Sequence, residues 1–265
     1  MEKINFTKIV ASGNDFVIIK SLSANNHRLS NLARKICDRK FGIGADGLLL
    51  LGHSKKAEIK MRIFNADGSE AKMCGNGARC AALYTRKRNA KIDTMAGIIE
   101  SAVDGNSVRI KLTKPRNLRL DMPLEINNRI LHINFIDTGV PHTVIFVVDL
   151  DKIDVFNIGR KIRYHKRFAP YGTNVDFVEI LNNNLIKMRT YERGVEDETL
   201  ACGTGAVAAA LITSQKLKVK NQRDMNVKTK SGEVLKVYFY KKENNFENIW
   251  LEGKVKIVYK GEYYV

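Results

Sequence analysis

The chain has no long hydrophobic run and no segment that resembles a secretory signal. No stretch of about 18 apolar residues occurs, so the sequence predicts no membrane-spanning helix. The first residues, Met1–Phe6, lack the apolar run of a signal peptide and already have the pattern of a strand. These absences predict a soluble cytoplasmic protein. The hydrophobic fraction of 44% is sufficient for a buried core.

Cysteine is scarce: the 265 residues contain only Cys37, Cys74, Cys80 and Cys202. So few cysteines do not make a disulfide framework. No two of them have C-x-x-C spacing, so a structural zinc site is not expected. Cys37 lies on the apolar face of a predicted helix, and Cys80 points to a different helix face from Cys74. We expect both to pack in the core.

Acidic residues are too few to balance the basic ones, and the net charge is +17. A charge of this size can indicate binding to nucleic acid or to a membrane surface. Here the basic residues are spread along the chain, and aromatic residues do not alternate with them as they do on a stacking surface. Abundant Lys, Asn and Ile are typical of an A+T-rich genome. We therefore expect no nucleic-acid partner and no membrane partner.

Short β-like runs dominate the pattern, and helices are few. Asp104-Gly105 and Ser231-Gly232 each separate two such runs and predict β-hairpins. One helix is predicted from a Ser30 cap to about Arg39. Its buried face consists of Leu29, Leu32, Ala33, Ile36 and Cys37. Two further helices, both rich in alanine, are predicted to begin at Cys74 and Cys202.

The most informative feature is an internal repeat. Met61–Phe64 matches Met188–Tyr191, and Cys74–Ala78 matches Cys202–Ala206, with shifts of 127 and 128 residues. A weaker similarity pairs the segment that begins at Asn14 with the one that begins at Asn174. Two halves with the order strand, loop, C-G-x-G-A and helix predict a duplicated fold, with a pseudo-twofold axis and one cysteine on each side.

The repeated motif has a chemical interpretation. Glycines allow a tight turn with exposed N–H groups, and a helix N-terminus carries unpaired N–H donors and partial positive charge. Such an end binds a carboxylate, and it lowers the pKa of a cysteine placed there. A single copy would more often be a buried structural cysteine. Two copies in matching halves predict chemistry: one thiolate removes a proton from an α-carbon and the other thiol returns one to the opposite face.

With these motifs the sequence resembles the diaminopimelate epimerase family over nearly its whole length. The residues that carry the resemblance are Gly13–Phe16, Gly42–Asp46, Phe64–Glu70, Cys74–Arg79, Pro141-His142, Thr173-Asn174, Tyr191–Gly194 and Ala201–Gly205. This family interconverts LL- and meso-diaminopimelate without pyridoxal phosphate or metal, in lysine and peptidoglycan synthesis. The resemblance therefore implies no cofactor, diaminopimelate as substrate and a homodimer.

The resemblance also implies an α/β (α+β) fold of two pseudo-symmetric halves. Each half is expected to be a curved, mostly antiparallel sheet or barrel around a central helix. The first would comprise residues 1–116 with a returning C-terminal strand at 254–265, and would carry Cys74. The second would comprise residues 117–253 and carry Cys202.

Roles for individual residues follow from the resemblance. Cys74 and Cys202 would be the catalytic thiols. Backbone amides would hold the reacting carboxylate, from Gly75, Asn76, Gly203 and Thr204. Side chains would bind the rest of the substrate, from Asn14, Asn65, Asn174, Glu192 and Arg193. His142 and Glu192 would adjust the pKa of the thiols. Without the resemblance, Glu192 and Arg193 would be interpreted as a solvated pair and His142 as a packed loop histidine.

Three departures from the family pattern concern substrate contacts. Val140 occupies a position where the family often has asparagine, Gly47 one where many members have glutamine, and the loop Gly194–Thr199 is longer than the common form. The segment Gly42–Gly47 has the letters G-x-G-x-x-G, but a helix precedes it and a strand follows it. This order is the reverse of a dinucleotide-binding site, so we reject nucleotide binding.

Three other functions are compatible with parts of the pattern. A related racemase or isomerase of the same fold could act on proline, on hydroxyproline or in phenazine synthesis. A thiol switch could oxidise Cys74 and Cys202 to a disulfide, and a nucleic-acid-binding module would use the positive charge. The duplicated carboxylate-binding motif favours the epimerase.

Overall fold

The computed structural model describes residues 3–20, 26–219, 221–242 and 245–264. Met1, Glu2 and Val265, which the sequence analysis placed in the first half, lie outside this part of the chain. The structure contains two compact units, Met1–Lys111 with Gly253–Val265 and Leu112–Glu252. Across the described ranges, no helix is long and apolar enough to cross a membrane.

The first unit is an eight-stranded barrel. Its elements are β1 (Lys3–Ala11), β2 (Asn14–Lys20), α1 (Asn26–Cys37), β3 (Gly47–Gly52), β4 (Ile59–Asn65), β5 (Glu70–Ala71), α2 (Gly75–Thr85), β6 (Asn89–Thr94), β7 (Gly97–Asp104), β8 (Ser107–Lys111) and the C-terminal part of β17 (Asn245–Tyr264). The strands follow the order β1-β2-β3-β4-β6-β7-β8, and β17 pairs with both β8 and β1 to close the barrel. The pairs β2–β3 and β4–β6 are parallel.

The second unit repeats this order. Its elements are β9 (Arg116–Ile126), β10 (Arg129–Asp137), β11 (Pro141–Phe146), α3 (Val155–Arg163), β12 (Asn174–Asn182), β13 (Leu185–Glu192), β14 (Asp197–Thr199), α4 (Gly203–Leu217), β15 (Asp224–Lys228), β16 (Val234–Lys242) and the N-terminal part of β17. Two short 3-10 helices cover Leu150–Lys152 and Lys166–Phe168. The order is β9-β10-β11-β12-β13-β15-β16-β17, and only β11–β12 and β13–β15 are parallel. The predicted α/β (α+β) class is confirmed.

The duplication extends to individual contacts. Arg62 in β4 forms a two-pronged ion pair with Glu70 in β5, with distances of 2.7 and 2.9 Å. Arg189 in β13 forms the same pair with Glu198 in β14, at 2.6 and 2.8 Å. Because these residues occupy matching places in the sequence repeat, the two units share one arrangement of strands and helices.

The weaker similarity between Asn14 and Asn174 does not belong to this repeat. Asn14 begins β2, whereas Asn174 begins β12, and the strand order makes β12 the counterpart of β3. The residue that matches Asn174 is therefore Gly47, the first residue of β3. The predicted pairing was wrong because a short polar and apolar pattern recurs at many strand starts.

Each unit surrounds a helix made of small residues. α2 contacts β1, β2, β3, β4, β6, β7 and β8. In α4, every residue from Gly205 to Ser214 is buried. A helix enclosed by strands buries most of its surface, and its alanine and glycine residues let the surrounding strands approach it closely. The alanine-rich runs after Cys74 and Cys202 therefore form the two central helices.

The outer helices differ in part from expectation. The buried face of α1 is confirmed, but α1 begins at Asn26, so Ser30 is not its cap. Ser30 instead donates to the Gly68 carbonyl at 2.8 Å. The sequence analysis missed α3, whose cap Asp154 accepts from the Asn157 N–H at 3.0 Å. Both predicted hairpins, β7–β8 and β15–β16, are confirmed.

Candidate active site

Cys74 caps the N-terminus of the central helix of the first unit. Its backbone is extended, at φ −141°, and its Sγ accepts from the Gly77 N–H at 3.4 Å. Gly75 and Asn76 are the first two helical residues, so their N–H groups belong to the first turn, where helical partners are lacking. The thiol and these amides therefore share one helix end.

Two of the expected substrate-binding amides meet beside this helix end. The buried Asn76 donates from Nδ2 to the Oδ1 of Asn14 at 2.5 Å, and Asn14 donates in turn to Asp46 at 3.0 Å. Arg79, which is fully buried, donates to the Oδ1 of Asn76 at 2.6 Å. This chain of donors fixes which end of each amide is nitrogen.

A cluster of charges holds the strand ends around Asn14. Arg39 donates to Asp15 and to Asp46, and the buried Lys8 pairs with Asp15 at 2.7 Å. Burial alone would raise the pKa of Asp15, but hydrogen bonds from Arg39 and Lys8 outweigh it and hold this pKa well below its ordinary value. This cluster anchors the loop before β3 against the start of β2.

Asn65 is the last residue of β4 and pairs with Gly47 at the start of β3. Because β2 and β3 are parallel and β4 is antiparallel to them, Asn14, Gly47 and Asn65 lie at the same end of the barrel. The side chain of Asn65 is exposed and donates to Ser69 at 2.9 Å. No hydrogen bond among the described side chains joins Asn65 to Asn14 or Asn76.

Cys202 occupies the matching position in the second unit, as the N-cap of α4, with an extended φ of −117°. It is buried, and its Sγ lies 3.4 Å from the Oγ1 of Thr204. Gly203 and Thr204 are the first two helical residues. The Thr204 carbonyl accepts from the Thr138 hydroxyl at 3.2 Å, which ties this helix end to the loop after β10.

His142 is fully buried next to this helix end. Its Nδ1 lies 2.7 Å from the Oδ2 of Asp176, and its Nε2 lies 3.0 Å from the Oγ1 of Thr204. His142 is the second residue of β11 and pairs with Asn174 at the start of the parallel strand β12. The structure therefore brings the predicted His142, Thr204 and Cys202 together.

Asn174 positions the backbone of Arg193. Its Oδ1 accepts from the Arg193 N–H at 2.9 Å, and its Nδ2 donates to the Pro141 carbonyl at 3.0 Å. The guanidinium of Arg193 donates to the Tyr171 carbonyl at 3.2 Å. Glu192 ends β13, next to Asn174 in the strand order. Asn174, Glu192 and Arg193 thus lie at the same strand ends as His142.

The electrostatic environment of Cys202 differs from the expectation of a lowered pKa. Burial raises the pKa of Cys202 well above its ordinary value, and the charges of Glu192 and Asp176 raise it further. Contacts with Thr204 and the Gly205 N–H oppose this shift without reversing it. Burial also raises the pKa of Glu192, which the Thr199 hydroxyl and the charge of His142 only partly offset. Solvent exclusion outweighs the helix dipole at this thiol.

Sequence reasoning missed Asp176 and Thr190. Both side chains are buried, and the Thr190 hydroxyl donates to the Oδ1 of Asp176 at 2.7 Å. Asp176 is the single acidic residue in the apolar run from Val175 to Val178, and this isolation was the available signal. An ionisable residue inside an apolar strand requires a polar partner.

The remaining cysteines are in the cores, as predicted. Cys37 is in α1, and burial raises its pKa to about 12. Cys80 is fully buried in α2. All four cysteines lie in the described ranges and are present as thiols. Gly42–Gly47 connects α1 to β3, in the order that excludes a dinucleotide site. Within the described residues, no three His, Cys, Asp or Glu side chains are arranged to hold a metal ion.

Solved structures show the same fold. A phenazine biosynthesis protein of the PhzF family from Bacillus anthracis has a TM-score of 0.74 at 19% identity, covering 100% of both chains. A hydroxyproline epimerase from Agrobacterium vitis has a TM-score of 0.72 at 12% identity, covering 98% of this chain and 92% of its own. At these identities the similarity concerns the fold alone.

Comparison of sequences is more specific. The family model for diaminopimelate epimerase matches residues 6–117 and 134–258. The diaminopimelate epimerase of Aquifex aeolicus is 40% identical, over 97% of both chains. That of Carboxydothermus hydrogenoformans is also 40% identical, over 99% of this chain and 100% of its own. The chain therefore belongs to the diaminopimelate epimerase family.

Proposed function

We propose that this chain interconverts LL- and meso-2,6-diaminopimelate without a cofactor, with Cys74 and Cys202 as the acid and base. The observation that carries the proposal is that each unit caps its central helix with a cysteine, followed by the N–H groups of a C-G-x-G-A motif. We propose that the two epimerase halves are residues 1–116 with 254–265 and residues 117–253.

The reaction balances with one proton on the thiol pair. The Cys202 thiolate removes the α-proton of the LL isomer, and the electron pair of the broken C–H bond spreads into the α-carboxylate. Helix amides from Gly75, Asn76, Gly203 and Thr204 stabilise this charge, as in an oxyanion hole. The Cys74 thiol then protonates the opposite face. Cys74 ends as the thiolate and Cys202 as the thiol, which is the starting state for the reverse reaction.

Substrate recognition uses the polar groups at the strand ends. Asn14, Asn65 and Asn174 bind the amino and carboxylate groups, and Glu192 contacts an ammonium. Arg193 binds the distal carboxylate as a bidentate partner. This role is supported by the hydrogen bond from the Arg193 backbone N–H to Asn174, which fixes the backbone position from which the side chain extends. The positively charged group suits a substrate with a carboxylate at the far end.

The alternative is a racemase or isomerase of the same fold that acts on another amino acid. About 40% identity to diaminopimelate epimerases, against 12% to the hydroxyproline epimerase, favours diaminopimelate. From the same resemblance, we propose that the protein works in the cytoplasm as a homodimer, in lysine and peptidoglycan synthesis. Sedimentation equilibrium would test the dimer.

Deuterium exchange tests the activity directly. Purified protein, with no added cofactor, is incubated in deuterium oxide with LL-diaminopimelate, and in parallel with L-proline. We expect deuterium at the α-carbon and formation of the meso isomer with diaminopimelate only. Exchange into proline with none into diaminopimelate would instead establish the alternative.

Single cysteine variants test the mechanism. Cys74→Ala and Cys202→Ala should each abolish epimerisation, because inversion needs both a donor and an acceptor. A substrate analogue with a leaving group on the β-carbon needs only one base for elimination. Each variant should therefore process one isomer of the analogue, and the two should have opposite preferences. Cys37→Ala is the matched control. If both variants process the same isomer, the two-thiol mechanism is wrong.

A further inference from the structure

A continuous line of hydrogen bonds lies behind Cys202. It runs from Thr190 to Asp176 at 2.7 Å, from Asp176 to His142 at 2.7 Å, and from His142 to the Thr204 hydroxyl at 3.0 Å. The Thr204 hydroxyl lies 3.4 Å from the Sγ of Cys202. Thr190, Asp176 and His142 are all at most 1% exposed, so water does not interrupt this line.

When His142 is neutral, the chemistry of the groups gives each hydrogen bond a direction. A carboxylate only accepts, so the Nδ1 of His142 carries a proton and donates to Asp176. The Nε2 of the neutral imidazole is then an acceptor, and it receives the proton of the Thr204 hydroxyl. The lone pairs of that hydroxyl remain to accept from the Cys202 thiol. The two hydrogen bonds between Cys202 and His142 can therefore both donate towards the imidazole, and Asp176 accepts from both His142 and Thr190.

At the matching positions among the described residues of the first unit, the side chains are apolar. The strand registers make Leu49, Ile63 and Phe16 the counterparts of Asp176, Thr190 and His142. A Cβ added to Gly77 would meet the methyl groups of Leu49 and Ile63, at 3.2 and 3.3 Å. A Cβ added to the matching Gly205 would meet the Oδ1 of Asp176 at 2.5 Å. The two units therefore share one arrangement of strands and helix, but apolar side chains pack behind Cys74, whereas hydrogen-bonded polar side chains lie behind Cys202.

We propose that Asp176 is a positioning residue that makes His142 the proton acceptor for Cys202, through the Thr204 hydroxyl. The S–H proton of Cys202 moves to Thr204 while the Thr204 proton moves to the Nε2 of His142. Cys202 becomes the thiolate, His142 becomes the imidazolium, and Thr204 is unchanged. The negative charge of Asp176 stabilises the imidazolium, as in other carboxylate–histidine pairs.

These hydrogen bonds offset the free-energy cost of ionising the buried Cys202 thiol. The ionisable groups that face Cys202 are Glu192 from β13, Asp176 from β12 and His142 from β11, and α4 itself contributes its amides and the uncharged Thr204 hydroxyl. Burial and the two carboxylates oppose a negative charge on this sulfur. A thiolate paired with an imidazolium adds no net charge to the buried site, so it forms more easily than a lone thiolate.

Magnetic resonance without substrate tests the role of Asp176. The protein is labelled with ¹³C at the cysteine Cβ atoms and with ¹⁵N in the histidine rings. We expect the Cys202 and His142 signals of the wild type to titrate together. In Asp176→Asn the Cys202 thiolate should lose its imidazolium partner, and this loss should outweigh the removal of one repelling charge, so the ionisation constant of Cys202 should fall by at least about tenfold. The signal of the buried Cys37 in the same spectra is the internal control and should be unaffected.

A pair of variants at Thr204 tests the path itself, and does not depend on whether Asp176→Asn folds. Thr204→Ser keeps the hydroxyl and Thr204→Val removes it, while both keep the backbone amide. This experiment rests on the proposed epimerase activity. In Thr204→Val we expect kcat to fall by about 100-fold with little change in KM, and serine should restore most of the rate.

The results separate this proposal from the proposed function. Independent titration of Cys202 and His142 overturns the proposal, as does an unchanged or larger ionisation constant of Cys202 in Asp176→Asn. Equal kcat values for the serine and valine variants also overturn it. If the wild type has no epimerase activity but the two signals titrate together and respond to Asp176→Asn, the line stands and the proposed function fails.

Discussion

Gly205 and Gly77 occupy the same position in the two central helices, the third helical residue, yet alanine should destabilise the protein much more at Gly205 than at Gly77. In Gly205→Ala the new Cβ would lie 2.5 Å from the Oδ1 of Asp176 and 3.3 Å from the Cβ of Cys202. Real side chains do not approach so closely, and Asp176 is held by His142 and Thr190. The carboxylate must therefore move.

The magnitude follows from three contributions. Alanine is favoured over glycine in a helix by about 1 kcal/mol. Overpacking costs about 1–3 kcal/mol, and disturbing a charge-assisted hydrogen bond costs about 1.5–3 kcal/mol. We expect Gly205→Ala to lower the free energy of unfolding by about 1.5–5 kcal/mol. In Gly77→Ala the contacts are 3.2 and 3.3 Å to terminal methyl groups, which can shift. The change there should stay within about 1 kcal/mol.

Urea denaturation followed by circular dichroism and by fluorescence measures both variants. Trp250 is the only tryptophan and belongs to the second unit, so its fluorescence should report Gly205→Ala selectively. The two signals are fitted separately, because two units need not unfold in one step. If Gly205→Ala is as stable as the wild type, or if Gly77→Ala is the more destabilised variant, the close packing of Asp176 against α4 is refuted.

Three further outcomes are expected. Arg193→Ala should weaken transition-state binding of diaminopimelate by about 2–5 kcal/mol and so lower kcat/KM, with an unchanged unfolding midpoint. Unaltered kinetics would remove Arg193 from the site. The lowered pKa of Asp15 stabilises the fold above about pH 4, and this contribution is lost as pH falls through the folded-state pKa. Urea midpoints of Asp15→Asn should be lower at pH 7 and should fall less on acidification than those of the wild type, because other carboxyls with lowered pKa values remain. An acid dependence as steep as that of the wild type would contradict this. Arg189→Met should cost about 1 kcal/mol more than Arg62→Met. Beyond the carboxylate pairs, Arg189 donates to two backbone carbonyls at 3.0 Å, whereas Arg62 donates to the Asn26 side chain at 2.8 Å. Equal unfolding midpoints would contradict the added cost.

The sequence alone determined the duplication and the places of the two thiols. A glycine-rich turn followed by alanine is a local signal, because both the cap and the helix depend on neighbours within one or two turns. Cys74 and Cys202 could therefore be placed at helix starts, and the matching of β4 with β13 followed from their repeated residues. Predictions that depended on a single polar residue were less reliable. For that reason Ser30 was wrongly predicted to be a helix cap, and Asn14 was wrongly matched with Asn174.

Tertiary structure decided which groups surround each thiol. Asp176 reaches α4 only because the registers of β11, β12 and β13 place it beside His142 and Thr190. The direction of the Cys202 pKa shift likewise required the structure, since the helix start alone favours a thiolate. Burial and the charges of Asp176 and Glu192 reverse that preference. These contributions come from strands distant in sequence, and they depend on solvent exclusion, which exists only once the barrel strands have assembled around the helix.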